Sequence, residues 1–442
     1  MGNVVPQKSA AQLGREIAEG KTDPVELTEA TLERMDNHEA RDDIFTMVTH
    51  DRARAEAEAA RIRQQDGALA SPLDGVPISW KDLFDTKGLV TEAGSKLIAG
   101  RVPDDDCEVL KRSSKAGLIC AAKTHMSELA FSGLGINPST GTPPNIHGKE
   151  LAPGGSSSGA GSCVAHGLTP IGVGSDTGGS VRIPSVWNDL VGLKTTAELI
   201  PNTGVVPLCS GFDTVGPLCT TVEDAWLSTC IFADRKPEMP EAKPLSECSF
   251  LVNETIMLDD LGTNQREGFE LAVEALQSAG AKVTRAPIPE CETIIPLGPI
   301  MFPYEAWAEW GELISANPEL MFEGVRNRFM SGKDFTEAQY KEAWGEMLKL
   351  RETYAARVAE YDAVLAPTIA IAPPNVSELL ADMKLFQETN MMALRNTRFF
   401  NMFGVCALTL PTSKPAAGLM IAGKAFGEED LVSVGLSIEA IL

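Results

Sequence analysis

No run of apolar side chains in the 442 residues approaches the ~20 needed to span a bilayer. The first residues lack the basic-then-apolar pattern of a secretory signal. Met1-Gly2 opens like an acylation site, but Pro6 stands where Ser or Thr is required, so myristoylation is not expected. The nine cysteines fall singly between Cys107 and Cys406, with no C-x-x-C pair. That spacing suits neither a zinc site nor a disulfide framework, and it fits a reducing compartment, so the cytoplasm is the expected location. The histidines (His38, His50, His125, His147 and His166) are equally scattered and form no ligand pair, so no metal and no cofactor are expected. Basic side chains are few: 38 against 61 acidic ones leave a formal charge of -23, which repels a polyanion and argues against a nucleic-acid partner.

What is present reads as one large α/β domain spanning residues 1–442. Apolar residues make up 43 % of the chain, enough for a substantial core. Helices open it. Ala10 to Glu19 stops at Gly20, and Asp23-Pro24-Val25-Glu26 combines an N-cap, a first-turn proline and a capping-box glutamate. A third helix, rich in alternating charges, covers about Asp51 to Gln65. From Leu73 to Ala233 short apolar runs (Leu118–Ala122, Thr169–Val173, Leu190–Leu193) alternate with helical segments and glycine-rich turns, the texture of an α/β layer fold. Asp234–Glu247, with three prolines, reads as a surface connection. Strands are expected over Phe250–Met257, near Val283, and at Ala363–Ala366, Ala407–Leu410 and Leu419–Ala422. Helices are expected over Asn264–Ser278, most of 300–360, a long stretch before Gly404, and from Glu428 onward. The returning strands argue for one continuous mixed sheet flanked by helices.

Two clusters of glycine and serine interrupt this pattern: Pro153-Gly154-Gly155-Ser156-Ser157-Ser158-Gly159-Ala160-Gly161 and Gly174-Ser175-Asp176-Thr177-Gly178-Gly179-Ser180-Val181-Arg182. Both adjoin apolar segments, so they are turns between packed elements rather than linkers. Acyl transfer needs a hydroxyl, a base for its proton, and N–H donors for the developing oxyanion. Ser180 is a candidate nucleophile, and the backbone N–H groups of Thr177, Gly178, Gly179 and Ser180 are candidate donors in one concave turn. Ser180 read in isolation is equally consistent with a helix cap. No histidine occupies a partner pattern, which leaves lysine as the base, provided burial keeps it neutral. Lys81 lies in the apolar run Gly75-Val76-Pro77-Ile78-Ser79-Trp80-Lys81-Asp82, where a salt bridge to Asp82 or Asp85 is the competing role.

The motifs Gly75–Asp82, Gly94-Ser95, Pro153–Gly159, Asp176–Arg182, Val191-Gly192-Leu193-Lys194 and Asp213-Thr214-Val215-Gly216-Pro217 recur in this order in a known family. With Thr221–Ala225 and Gly418-Leu419…Gly423, they make the chain resemble the amidase signature family over most of its length. The resemblance implies a signature core over 70–233 and a variable helical substrate-pocket region over 300–360. It puts the family's lysine at Lys81, its relay serine at Ser156 and its nucleophile at Ser180. It also implies a cis peptide at Gly155–Ser156, a bracing pair Asp176–Arg182, and Ser157 as a supporting hydrogen-bond partner. The implied activity is hydrolysis of a carbon–nitrogen acyl bond in a small-molecule amide, with anilides, carbamates and esterase side activity within its range. Departures from the pattern (Pro184–Asp189, Thr195, His125, and a short loop after Pro411) bear on substrate rather than on the triad.

Competing assignments are weaker. Gly155-Ser156-Ser157-Ser158-Gly159 matches a G-x-S-x-G nucleophile elbow centred on Ser157, but the only histidine downstream is His166, nine residues on. Gly117–Thr124 nearly fits a phosphate-binding loop, with Ala122 in place of the required glycine. The catalytic subunit of a glutamine-dependent tRNA amidotransferase shares the same motifs and is the main alternative. The acidic composition and the weaker match outside the core favour a stand-alone hydrolase. Trp80, Trp187 and the aromatics from Phe302 to Trp310 are candidates either for an acyl pocket or for plain core. A homodimer, the commonest closed assembly, is the default quaternary expectation. Because the proposed chemistry uses only side chains and backbone, EDTA should leave turnover unchanged, and strong inhibition rescued by zinc would overturn the scheme.

Overall fold

A computed structural model describes residues 8–442; the Met1-Gly2 and Pro6 positions that bear on acylation lie outside them. The expected helices form close to their predicted limits. Ala10–Ala18 ends before Gly20, whose positive φ (69°) is the backbone turn that glycine permits. Pro24–Asp36 starts where the Asp23 carboxylate accepts hydrogen bonds from the N–H groups of Val25 and Glu26. The reciprocal bond expected of Glu26 is not made among the described residues, because its side chain stays exposed at the surface. His50–Gln65 buries only Ala53, Ala57 and Ala60, so its charges face water as the alternation predicts.

Eleven strands occur among the described residues: β1 (Phe45–Val48), β2 (Pro77–Lys81), β3 (Ile119–Thr124), β4 (Ile171–Ser175), β5 (Val191–Lys194), β6 (Val215–Cys219), β7 (Ser249–Asn253), β8 (Lys282–Ala286), β9 (Ala363–Pro367), β10 (Ala407–Pro411) and β11 (Gly418–Ala422). They form one sheet in the order β1-β3-β2-β4-β6-β5-β10-β11-β9-β7-β8. β3, β2 and β4 run parallel, β9, β7 and β8 run parallel, and the strands between them are antiparallel. Central strands β2, β3, β4, β5 and β6 are buried throughout, and β2 to β5 accordingly read as short apolar runs rather than as alternating ones. The mixed sheet unites the first and last thirds of the chain into one domain, since β10 and β11 lie between β5 and β9. No helix among the described residues is long and apolar enough to cross a membrane.

Two strands carry no clear signal in the sequence. β1 is four residues long and only partly buried, and β6 holds Gly216 and Pro217 inside it. The strand expected over Phe250–Met257 ends at Asn253, and Ile256–Leu258 forms a short helical turn instead. Residues 298–358 are helical as expected, in Gly298–Ala316, Glu323–Met330 and Glu337–Val358.

Candidate active site

Lys81 ends β2, and its side chain is completely buried. Its Nζ lies 2.7 Å from Ser156 Oγ and 2.8 Å from Ser175 Oγ. The competing salt bridge does not form: Asp82 pairs with Lys123 at 2.9 Å, and Asp85 pairs with Arg101. The sheet explains this separation. Trp80 stands opposite Lys123 and Lys81 opposite Thr124, so alternation places Asp82 on the Lys123 face and Lys81 on the other. Burial lowers the Lys81 ammonium to about 7, against the opposing pull of Asp213 and Asp176.

The Gly155–Ser156 peptide is cis. Ser156 O accepts from Ser127 N–H at 3.1 Å, while the next serine is held differently. Ser157 Oγ donates to Ser175 O at 3.2 Å and accepts from Ser175 N–H at 3.3 Å. Ser157 thereby fixes Ser175, the residue whose hydroxyl meets Lys81. This occupation also disposes of the nucleophile elbow: Ser157 is fully buried, and His166 bonds Ser162 instead. Ser175 is a site residue that the motifs do not single out. Its one signal is its position, the last residue of a strand parallel to the one that ends in Lys81.

The second cluster turns tightly between β4 and the helix Arg182–Trp187. The Asp176 carboxylate accepts from Gly179 N–H (2.8 Å), from Val181 N–H (3.2 Å) and from the Arg182 guanidinium (3.0 Å at both Nε and Nη2). Burial alone would raise this carboxyl, but Arg182, with Lys194 and Asn401 nearby, holds it well below the usual carboxylate range. The bracing pair is therefore present, and both partners are fully buried. Thr397 Oγ1 donates to Gly178 O at 2.7 Å, and Arg182 Nη1 donates to Thr397 O at 2.9 Å. Gly179 has φ +137°, and a Cβ there would lie 2.1 Å from Thr397 Oγ1, so glycine is required at this point.

This geometry revises the donor set. Gly179 N–H is committed to Asp176, whereas the N–H groups of Thr177, Gly178 and Ser180 have no hydrogen-bond partner among the described residues. Thr177 Oγ1 donates to Asp213, whose carboxyl burial raises to about 6. Ser180 is only 4 % exposed, and it does not cap the following helix, whose N-cap is Val181.

Ser180, Thr177 and Gly178 open onto a narrow, half-open cavity of about 290 Å³ with the open solvent at its mouth included, walled by Phe131, Leu208, Phe302 and Leu394. Arg328 and Arg398 complete the lining. Trp80 and Trp187 do not reach it: Trp80 packs edge-on against Phe84, and Trp187 donates to Ile371 O within a separate apolar cluster. Of the aromatic segment 302–310, Phe302 alone lines the cavity. Among the described residues no group of three or more His, Cys, Asp or Glu side chains is placed to hold a metal ion.

The whole sheet superimposes on solved enzymes of one kind. A crystal structure of an amidase aligns with a TM-score of 0.89 at 28 % identity, covering 98 % of this chain and 100 % of that one. The peptide amidase of Stenotrophomonas maltophilia aligns at 0.83, with 98 % and 97 % covered, and at 24 % identity it shows the fold alone. Fold and site together define an enzyme that cleaves carbon–nitrogen bonds. The chain belongs to the amidase family, whose model, Amidase, matches residues 26–432. Among curated relatives, the 2-amino-5-chloromuconic acid deaminase of Comamonas testosteroni is 32 % identical over 402 residues, 88 % of this chain and 87 % of that protein. A glutamyl-tRNA(Gln) amidotransferase subunit from Chloroflexus aggregans is 28 % identical over 458 residues, 95 % and 93 %. That match runs well beyond the core, so its extent does not separate a hydrolase from an amidotransferase component.

The buried Asp176–Arg182 pair generates a stability prediction. Arg182→Met leaves a desolvated carboxylate without its counter-charge and should cost about 3–5 kcal/mol in urea unfolding. A loss under about 1 kcal/mol would show that Asn401 and the backbone donors alone suffice to hold Asp176.

Proposed function

We propose that this enzyme hydrolyses a small-molecule amide through a seryl acyl-enzyme, with Ser180 as nucleophile and Ser156 and Lys81 as its proton relay. The observation that carries this reading is a fully buried lysine whose partners are two hydroxyls and no carboxylate. With its amine near 7, about half the population is neutral at pH 7, against a few in ten thousand for a free lysine. A neutral amine can donate one N–H to Ser175 and offer its lone pair to the Ser156 hydroxyl. Ser156 then accepts the proton of Ser180 as the latter attacks the carbonyl, and the free N–H groups of Thr177, Gly178 and Ser180 receive the oxyanion. The proton returns through the same relay to the leaving nitrogen, and water releases the acyl group.

No hydrogen bond joins Ser156 to Ser180 among the described residues. Closure of that contact belongs to the substrate complex, where catalytic hydrogen bonds commonly tighten. Anilides, carbamates and esters present the same acyl carbon and fall within reach of this chemistry. A second reading, ammonia delivery within a tRNA amidotransferase, is favoured by the 28 % match to the Chloroflexus protein along nearly the whole chain. Robust ammonia release by the purified chain alone would favour the hydrolase; dependence on partner chains and charged tRNA would favour the other.

Ser180→Ala should abolish turnover with the fold retained, and a fluorophosphonate should add its mass to the Ser180 peptide. Label on Ser157 instead would overturn the assignment. Activity should rise with pH along a limb centred near 7 and level off above it, because deprotonation creates the active amine. Lys81→Arg should not restore amidase activity, since guanidinium stays protonated. Near-normal amidase rates in that variant would make Lys81 a structural cation only.

A further inference from the structure

Arg328 and Arg398 stand out because nothing negative answers them. Neither forms a salt bridge among the described residues, and the group that acts on Arg328 most strongly besides burial is Arg398, which repels it. Arg328 donates one N–H to Phe131 O at 2.6 Å and stacks over the Phe131 ring at 4.1 Å. Arg398 lies 5.5 Å from the Phe302 ring centre, and its only hydrogen-bond contact among the described residues is Met391 Sδ at 3.7 Å. Burial lowers both guanidinium groups, to about 9 and about 10, yet both remain charged at neutral pH. Each is half-buried.

Both border the cavity onto which Ser180 opens. Arg328, Arg398 and Phe302 line both the cavity at Ser180 and an adjoining groove that Ser180 does not reach. They therefore stand where the two meet. Asp334, the acid lining the outer groove, is exposed and pairs with neither. Other buried or half-buried arginines are answered (Arg52 by Asp106, Arg63 by Asp74, Arg182 by Asp176), and those that also lack a salt bridge among the described residues, Arg326, Arg351 and Arg395, do not line the cavity at Ser180. A chain with 61 acidic side chains leaves two neighbouring arginines unpaired beside its candidate nucleophile. Desolvated like charges held together cost free energy unless an anion joins them, and a planar fork suits a carboxylate.

We propose that the substrate is an amide whose other end carries a carboxylate, bound between Arg328 and Arg398 with a short apolar link lying against Phe131, Leu208 and Phe302. This rests on Ser180 being the nucleophile of an amidase. The arginines are binding residues, not members of the relay: they hold the anion while the amide carbonyl sits over Ser180.

The test compares matched pairs in the wild-type enzyme, succinamate with butanamide and glutaramate with pentanamide, by ammonia release. The carboxylated member of at least one pair should be favoured about thirtyfold or more in kcat/KM, the scale of one truncated buried charge pair. Arg328→Gln and Arg398→Gln should each shrink that ratio about tenfold or more, mainly through KM. A purely structural arginine would lower both members of a pair alike. Direct binding gives an independent readout: glutarate or succinate, titrated calorimetrically, should bind wild-type enzyme saturably and the variants more weakly, and should slow fluorophosphonate labelling of Ser180. Equal or better turnover of the neutral amides, with no dicarboxylate binding, would overturn the inference while leaving the serine amidase intact. Dicarboxylate binding that depends on both arginines, with no labelling at Ser180 and no hydrolysis, would instead sustain the anion site and remove the proposed nucleophile.

Discussion

The site depends on keeping one lysine in the core without a carboxylate. A charged ammonium surrounded by protein costs several kcal/mol of lost hydration, and the usual remedy is an ion pair. Here the remedy is withheld by sheet geometry. Lys81 and Asp82 are chain neighbours, yet the two-residue alternation of β2 sends them to opposite faces, where Asp82 meets Lys123 and Lys81 meets Ser156 and Ser175. Hydroxyls can pair with either protonation state of the amine, but they do not lock it in the charged one. Desolvation then sets the proton affinity, and an amine near neutrality is the consequence. Ser157 matters through the same constraint, since it bonds both backbone groups of Ser175 and so steadies one of the two hydroxyls on which Lys81 relies.

A second buried charge is treated in the opposite way. Asp176 is saturated with donors from its own turn, from Arg182 and from Asn401. Its strong pairing gives a rigid turn rather than a proton acceptor. The helix Met383–Met402 reaches this turn through Thr397 and Asn401, while Arg398, one residue beyond Thr397, faces the cavity. One helix from the far end of the chain thus braces the turn and furnishes part of the proposed substrate site. This explains why the region after residue 380 cannot be a detachable module.

Much of this is legible in the sequence because the central strands are buried on both faces and read as uninterrupted apolar runs, with glycine marking each turn. The ordered motifs supply Lys81, Ser156 and Ser180 together. What the sequence does not disclose depends on tertiary placement. β6 hides behind Gly216-Pro217, whose residues are poor strand formers. Gly179 looks as free a donor as Gly178 until the Asp176 side chain folds back onto it. Trp80 and Trp187 are large and near the motifs, but they face the cores behind the sheet and the helix Arg182–Trp187 rather than the cavity. Arg328 and Arg398 have no signal at all, because their distinction is the absence of a partner, and an absence of contact has no sequence pattern.

An acidic protein looks poorly matched to an anionic substrate, yet distance resolves the conflict. At physiological ionic strength charges are screened beyond about 8 Å, so the excess of acids opposes an approaching monoanion only weakly. Inside the cavity the two guanidinium groups sit among Phe131, Phe302 and Leu208, where the apolar walls lower the local dielectric and a carboxylate meets forks of N–H donors more strongly than in bulk water. The excess of surface acids weighs most against multiply charged anions and least against a small monoanion. Local charge governs which small molecule stays. The same division leaves Lys81 undisturbed: the arginine pair makes no hydrogen bond to it, and Asp213 and Asp176, which do act on it, hold its affinity near 7 rather than letting desolvation drive it lower.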